Sequence, residues 1–222
     1  MNIDKRHKYG IMIDTETANS IDCPFCYDIG YQVIDSHGRL YLERSFLVRE
    51  VFVYERDLMR SAYYANKIPS YIEDVRKGKR IIKDLYEIKA ILAQDIKDFD
   101  CKFICAHNAR FDYTSLHTTQ RYYTKSKYRW FVPFGLEWWD TMKMAQDVII
   151  KMPTYQKWCT ENNGLNKQGK PSKSAENLYR FISKNPAFIE EHKGLDDVDI
   201  ERQILAYCVR QKKKMNKRLW ED

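Results

Sequence analysis

Two acids separated by one residue, Asp14 and Glu16, follow the apolar run Tyr9 to Ile13. Such a run reads as a buried strand, and alternate strand residues point to one face, so both carboxylates project together. Like charges held that close repel each other unless a cation lies between them. Acids at the end of a buried strand therefore point to a divalent metal with oxygen ligands, as magnesium or manganese prefers. A lone Asp-x-Glu has a plainer reading, two solvated acids where a strand runs into a loop. Only further acids in matching places displace it.

Two later segments supply them. In Ile104-Cys105-Ala106-His107-Asn108-Ala109-Arg110-Phe111-Asp112, a strand ends near Ala106 and Asp112 falls early in the next helix. The helix dipole alone accounts for an acid there, and Asn108 reads as the N-cap. In Glu191-His192-Lys193-Gly194-Leu195-Asp196-Asp197-Val198-Asp199, His192 and Asp197 are five residues apart, about 140° round a regular helix. They converge only if His192 lies in the loop before the helix, with Gly194 permitting the turn and Asp197 in the first helical turn. Asp196, Asp199 and Glu201 read as helix-start or solvated acids.

The elements that must position these groups follow from periodicity. Lys8 to Asp14, Tyr27 to Asp35 and Leu40 to Val48 read as three antiparallel strands, with Ser36-His37-Gly38 as a turn. From Ile81 the pattern is helical, because Ile81, Leu85, Ile88, Leu92 and Ile96 recur at three or four residues. Lys102 to Ala106 and Leu136 to Asp140 read as strands. Asp112 to Tyr123, Thr141 to Ile150, Ala175 to Ser183 and Leu195 to Lys213 read as helices, and Glu161 to Pro171 as a loop. The order describes an α/β fold, a mixed five-stranded sheet flanked by helices.

At 222 residues, 44% of them hydrophobic, the chain has material for one large domain, 1–222. No apolar stretch approaches the roughly twenty residues of a membrane span, and Met1 to Lys8 is polar, so neither a membrane partner nor a signal peptide is expected. Six scattered cysteines include one Cys-x-x-Cys, Cys23 to Cys26, which suits reduced thiols in a cytoplasmic protein. A structural zinc module at that pair is a rival, and stoichiometric zinc would reveal it. The net charge of +7 is concentrated in Arg76 to Lys83 and in a C-terminal segment, 210–222. Basic runs are often solvated helix faces, yet an acidic metal site within basic surface suits nucleic acid.

Taken together, Asp-x-Glu after a strand, His-Asn-Ala-x-Phe-Asp, and His-x-x-x-x-Asp opening the last long helix resemble the DEDDh (DnaQ-like) 3′–5′ exonucleases of the ribonuclease-H-like fold. The best-known member of that family is the proofreading epsilon subunit of bacterial DNA polymerase III. The resemblance runs from about Tyr9 to Lys213 and includes Trp139-Asp140-Thr141-Met142. A sister group uses a tyrosine near the last aspartate, and Tyr207 lies on the wrong side of Asp197 for that. The family often has Thr-Gly-Leu after the first acids, where this chain has Thr17, Ala18 and Asn19. Segments 49–80 and 151–173 exceed what a minimal member needs and read as insertions for substrate or partner.

The resemblance implies two divalent ions, Mg2+ or Mn2+, about 3.5–4 Å apart, assisting the attacking and leaving oxygens. It implies that Asp14 bridges both ions, that Glu16 and Asp197 complete the first, and that Asp112 supports the second. His192 becomes the general base. Thr15, Thr17, Asn108 and Phe111 become contacts to nucleic acid, with Tyr63, Tyr64 and Phe111 as surfaces on which bases stack. The expected activity is release of 5′-mononucleotides from single-stranded or frayed DNA, by a free-standing enzyme or one working with a DNA polymerase. One rival is an exoribonuclease of the oligoribonuclease or ribonuclease T type, because sugar selection rests on 2′-hydroxyl contacts. Another is a non-catalytic nucleic-acid-binding subunit, disfavoured because all four acids and the histidine are present.

Overall fold

The computed structural model describes residue 4 and residues 6–124 and 130–220. Six strands, β1 (Tyr9–Ala18), β2 (Phe25–Asp35), β3 (Leu40–Val48), β4 (Ile81–Lys83), β5 (Phe103–Ala106) and β6 (Glu137–Asp140), form one sheet in the order β4-β3-β2-β1-β5-β6. β1 to β3 are antiparallel, while β4, β5 and β6 pair in parallel with β3, β1 and β5. The helices are α1 (Arg56–Ser61), α2 (Ile68–Arg76), α3 (Leu85–Asp98), α4 (Ala109–Tyr123), α5 (Thr141–Val148), α6 (Pro153–Glu161), α7 (Ala175–Ser183) and α8 (Gly194–Arg210).

The mixed α/β architecture is the expected one, but among the described residues the sheet has six strands and not five. Ile81-Ile82-Lys83 pairs with Phe46, Leu47 and Val48 of β3, so the helix expected from Ile81 starts four residues later. Two β-branched residues favour the strand, and Asp84 with Glu87 forms a capping box that opens α3. Ile81 fell in phase with the helix by accident of spacing. α8 likewise stops at Arg210, short of Lys213.

Both faces of the sheet are covered, which is why all of β2 is buried. Ile11 and Ile13 face a core containing Leu92 of α3 and Leu116 of α4. Met12 faces the other core, with Val198, Ile204 and Leu205 of α8. Odd positions of β1 thus look toward α3 and α4, and even positions toward α8.

Segment 49–80 is ordered structure: a π-helical turn at Glu50–Tyr54, α1, a short 3-10 turn at Ala65–Lys67, and α2. In 151–173, α6 is followed by a tight turn closed by a bridge between Leu165 and Pro171, so the expected loop is folded back on itself. Beyond α8 the chain returns to the free edge of β6, where Leu219 N–H donates to Trp138 O (2.8 Å) and Asp140 N–H to Lys217 O (2.8 Å). The basic segment therefore caps an open strand edge, a site that otherwise invites foreign pairing. Its last two residues lie outside the described part. No helix among the described residues is long and apolar enough to cross a membrane.

α8 begins in direct contact with the sheet. Gly30 of β2 is the cross-strand partner of Asp14, and a Cβ there would lie 2.1 Å from Leu195 N. A Cβ on Gly194 would lie 2.7 Å from Gly30 N. The close approach, and no special backbone angle, is what requires glycine at both positions. Gly30→Ala is expected to cost about 1–3 kcal/mol through overpacking. Urea unfolding should show a lowered midpoint, and an unchanged midpoint would mean that α8 does not seat there.

Candidate active site

Asp14 and Glu16 occupy even positions of β1 and share the side on which α8 lies. Asp197, in the first turn of α8 and only 4% exposed, meets them there. Asp112 arrives from α4 on the other side and reaches the strand end through Thr15. Its Oδ1 accepts the Thr15 N–H (3.0 Å) and hydroxyl (2.9 Å), and Thr15 Oγ1 lies 2.9 Å from Ser115 Oγ. The four acids therefore converge from both faces at one end of β1. A register shift between Glu16 and Thr17 marks that end, a common device for re-aiming side chains near a site.

His192 lies in the loop before α8, and ligand atoms of Glu16, His192 and Asp197 all fall within 4.8 Å of one another. The turn that allows this is made at His192 itself, whose φ is +47°, and not at Gly194. Histidine tolerates this left-handed region better than most residues. The imidazole stacks on Tyr64 (centroids 4.6 Å, planes 15° apart), and its carbonyl oxygen lies 3.4 Å from the Tyr71 hydroxyl.

Beneath that loop is a buried ionic network. Both oxygens of Asp28 are 2.7 Å from Arg80 Nη1, which also donates to Ser45 Oγ (2.9 Å). Asp28 Oδ2 accepts the Gly194 N–H (2.9 Å), and Lys193 Nζ pairs with Asp74 (2.6 Å). β2, α2 and the start of α8 are thereby tied at one point. Removing one partner of such a buried pair costs about 3–5 kcal/mol. Arg80, which reads in sequence as part of a solvated basic run, is 4% exposed.

Several expectations need correcting. Glu201 is not a solvated acid: it is 3% exposed, one turn beyond Asp197, and its carboxylate accepts the His107 N–H (3.1 Å). Asp196 and Asp199 are paired, with Arg80 (3.2 Å) and with Arg202. Asn108 sits at the start of α4 but its side chain makes no cap bond; its φ is +64° and its N–H donates to Asp140 Oδ1 (3.1 Å). Thr15 is buried, and its hydroxyl and N–H donate to Asp112. Thr17 and Phe111 are half-buried and Asn108 is exposed. The Tyr64 ring is engaged by His192, whereas Tyr63 is 87% exposed. His107 is held between Thr141 Oγ1 (2.8 Å) and Lys173 O (2.7 Å), which joins its loop to the second long segment. Among the described residues, Cys23 and Cys26 gather no third metal-ligating side chain.

Crowding shows in the acidities. Burial, followed by the charges of Glu201, Asp112 and Asp197, holds the Asp14 carboxyl well above its usual range. Burial, then Asp28, pushes Glu16 up to about 8, and burial, then Glu190, pushes Asp197 up to about 9. Asp112 is pushed up to about 7 by burial, against the Thr15 hydrogen bonds that lower it. Burial and the neighbouring Asp112 raise Glu201 strongly as well. Burial and then Lys67 depress His192. One carboxylate oxygen, Asp197 Oδ1, is buried with no hydrogen-bond partner. Buried oxygens are rarely left so. A carboxylate-rich donor set with an orphaned oxygen fits a hard divalent cation.

No protein-family model matches this sequence, and no curated protein sequence matches it. Solved structures do match. The nuclease domain of 3'hExo, a DEDDh family member bound to rAMP, has a TM-score of 0.53 at 13% identity, covering 97% of this chain and all of that one. Escherichia coli exonuclease I in complex with a dT13 oligonucleotide has a TM-score of 0.52 at 14% identity. That match covers 93% of this chain and 41% of exonuclease I. Exonuclease I bound to the inhibitor CFAM gives 0.54 at 13% identity, covering 90% of this chain and 41% of the other. The mixed sheet and its flanking helices are the ribonuclease-H-like fold of the DEDDh exonucleases.

Proposed function

We propose that this chain is a metal-dependent 3′–5′ exonuclease that releases 5′-mononucleotides from single-stranded or frayed DNA ends. The observation that carries the reading is the convergence of Asp14, Glu16, Asp112, Asp197 and His192, from three separate segments, at one end of β1. The fold and its oligonucleotide-bound neighbour support it. The neighbour bound to rAMP supports a second reading, an exoribonuclease with the same chemistry.

Asp14, Glu16, Asp112 and Asp197 would hold two divalent ions, Mg2+ or Mn2+. When bound, these supply charge neutralisation at the phosphate and a more acidic water. The chain's own residues supply the rest. His192, held by Tyr64 and by its left-handed backbone, takes the proton of the attacking water at an imidazole nitrogen. Its depressed pKa keeps that nitrogen free at neutral pH. Thr15 fixes the Asp112 carboxylate, so that acid needs no reorganisation during the reaction. Glu201 anchors the backbone at His107, just before the segment leading to Asp112. The recessed acids require a terminal nucleotide to leave a duplex before its phosphate arrives, and exposed Tyr63 offers a stacking face.

End-labelled single-stranded DNA, duplex DNA and RNA, each with Mg2+ or Mn2+, give the direct test. A ladder shrinking from the 3′ end and abolished by EDTA is expected. Shortening from the 5′ end, or full activity in EDTA, would exclude the assignment, and a preference for RNA would select the second reading. His192→Ala should lower kcat by about 10²–10⁴, the usual worth of a general base. In the wild type, kcat should fall as pH drops through a value below the ordinary imidazole pKa of about 6.5. The same acidic limb persisting in the variant would remove His192 from that role.

Stability of the metal-free protein gives an independent prediction. Glu16, Asp112 and Asp197 have folded pKa values raised to about 8, 7 and 9, above their unfolded values. Their contribution is thus fully present below about pH 4 and is lost as pH rises through 7 to 9. In EDTA the unfolding temperature should fall between pH 5 and 9, and Asp197→Asn should be more stable than wild type at pH 9. Equal stability of the two proteins at pH 9 would mean that Asp197 is not in the repelling group.

A further inference from the structure

The segment between β3 and β4 places a cation beside the carboxylates. The Lys67 ammonium donates to the Glu191 carbonyl oxygen, next to His192, and lies 4.8 Å from the centre of the Tyr64 ring. Tyr64 in turn stacks on His192, whose ring is grouped with Glu16 and Asp197. A short line of contacts therefore runs from Lys67 to the acids. Three other cations near this loop are paired: Arg80 with Asp28 (2.7 Å), Lys193 with Asp74 (2.6 Å) and Arg180 with Glu176 (2.9 Å). Lys67 is held by a backbone carbonyl, and among the described residues no carboxylate ion-pairs with it. An ammonium has three N–H donors, and one is used here.

An unpaired cation at the rim of a buried anionic site is poorly explained by stability. Its charge is felt by Glu16, Glu190 and His192, yet it has not collapsed onto either acid. A polyanion entering the site would bring the missing counter-charge. The non-bridging oxygens of a phosphodiester accept hydrogen bonds, and a flexible lysine meets them as a point charge. We propose that Lys67 is a further catalytic residue, donating to a non-bridging oxygen of the phosphate under attack, with Tyr64 holding both Lys67 and His192 in place. The assignment rests on the exonuclease reading and deepens it, because it gives the first long segment a role in the chemistry.

Two substitutions separate charge from structure. Lys67→Gln keeps a donor for the Glu191 carbonyl and loses the charge; Lys67→Arg keeps the charge. Lys67→Gln is expected to lower kcat by about 10²-fold, in line with loss of one donor to a developing charge. Lys67→Arg should recover most of the rate, and stabilisation by Mn2+ in a thermal shift should be the same in all three proteins. Binding of a (dT)12 strand in Ca2+ should show a log–log salt slope smaller by about 0.7 in Lys67→Gln, one counterion contact fewer. Wild-type kcat and salt slope in Lys67→Gln would overturn the assignment while leaving the exonuclease intact. Lys67→Arg as slow as Lys67→Gln would also overturn it. A wild type inert on every polymer would instead overturn the exonuclease reading, with the salt slope still reporting on Lys67.

Discussion

Like-charge repulsion at the end of β1 is the constraint to which the surrounding structure answers. Asp14, Glu16, Asp112, Asp197 and Glu201 share a desolvated patch in which burial and neighbouring carboxylates raise the proton affinities. Left to electrostatics the patch would open. It is held shut by geometry from outside: α8 seats on Gly30, Asp28 clamps the Gly194 N–H, and Thr15 pins Asp112. Core packing of α8 against β1 and β2 drives that seating. The fold thus stores a local cost that a bound cation would relieve, a common state of affairs at functional sites.

The same logic explains why segment 49–80 is more than a loop. α2 and the chain after it deliver Asp74 and Arg80 to the buried network under the His192 loop, while the short turn before α2 delivers Tyr64 and Lys67 above it. One segment therefore holds the His192 loop from both sides. Segment 151–173 reaches the site more remotely, through the carbonyl of Lys173 on His107. Both connect to backbone that carries a candidate catalytic group. Neither behaves as a free appendage.

Strand patterns, the alternation in β1 and the junctions before α4, α5 and α8 were readable from the sequence because each follows a local rule. Asp14, Glu16, Asp112, Asp197 and His192 were readable because three short motifs occur in order. What escaped depends on contacts between distant segments. Arg80 looks like one more charge in a basic run until Asp28 is found opposite it. Glu201 looks like a helix-start acid until the seating of α8 turns its side inward. Lys67 carries no motif at all, and Tyr64 reads as a surface for bases until its ring is found against His192. β4 is hidden in the sequence because Ile81 matches helical spacing as well as strand composition, and only pairing with Phe46 decides between them. Gly194 reads as the turn residue while His192 makes the turn, since glycine is the default for both a turn and a close approach.

The central claim is that the acids at the end of β1 form a two-cation site. A crystal of the wild-type protein soaked in Mn2+ with a mononucleotide product, measured for anomalous scattering, addresses it without reference to turnover. Two peaks about 3.5–4 Å apart, touching Asp14, Glu16, Asp112 and Asp197 and bridged by the product phosphate, are predicted. Manganese bound elsewhere, or an empty carboxylate patch at saturating Mn2+, would contradict the account.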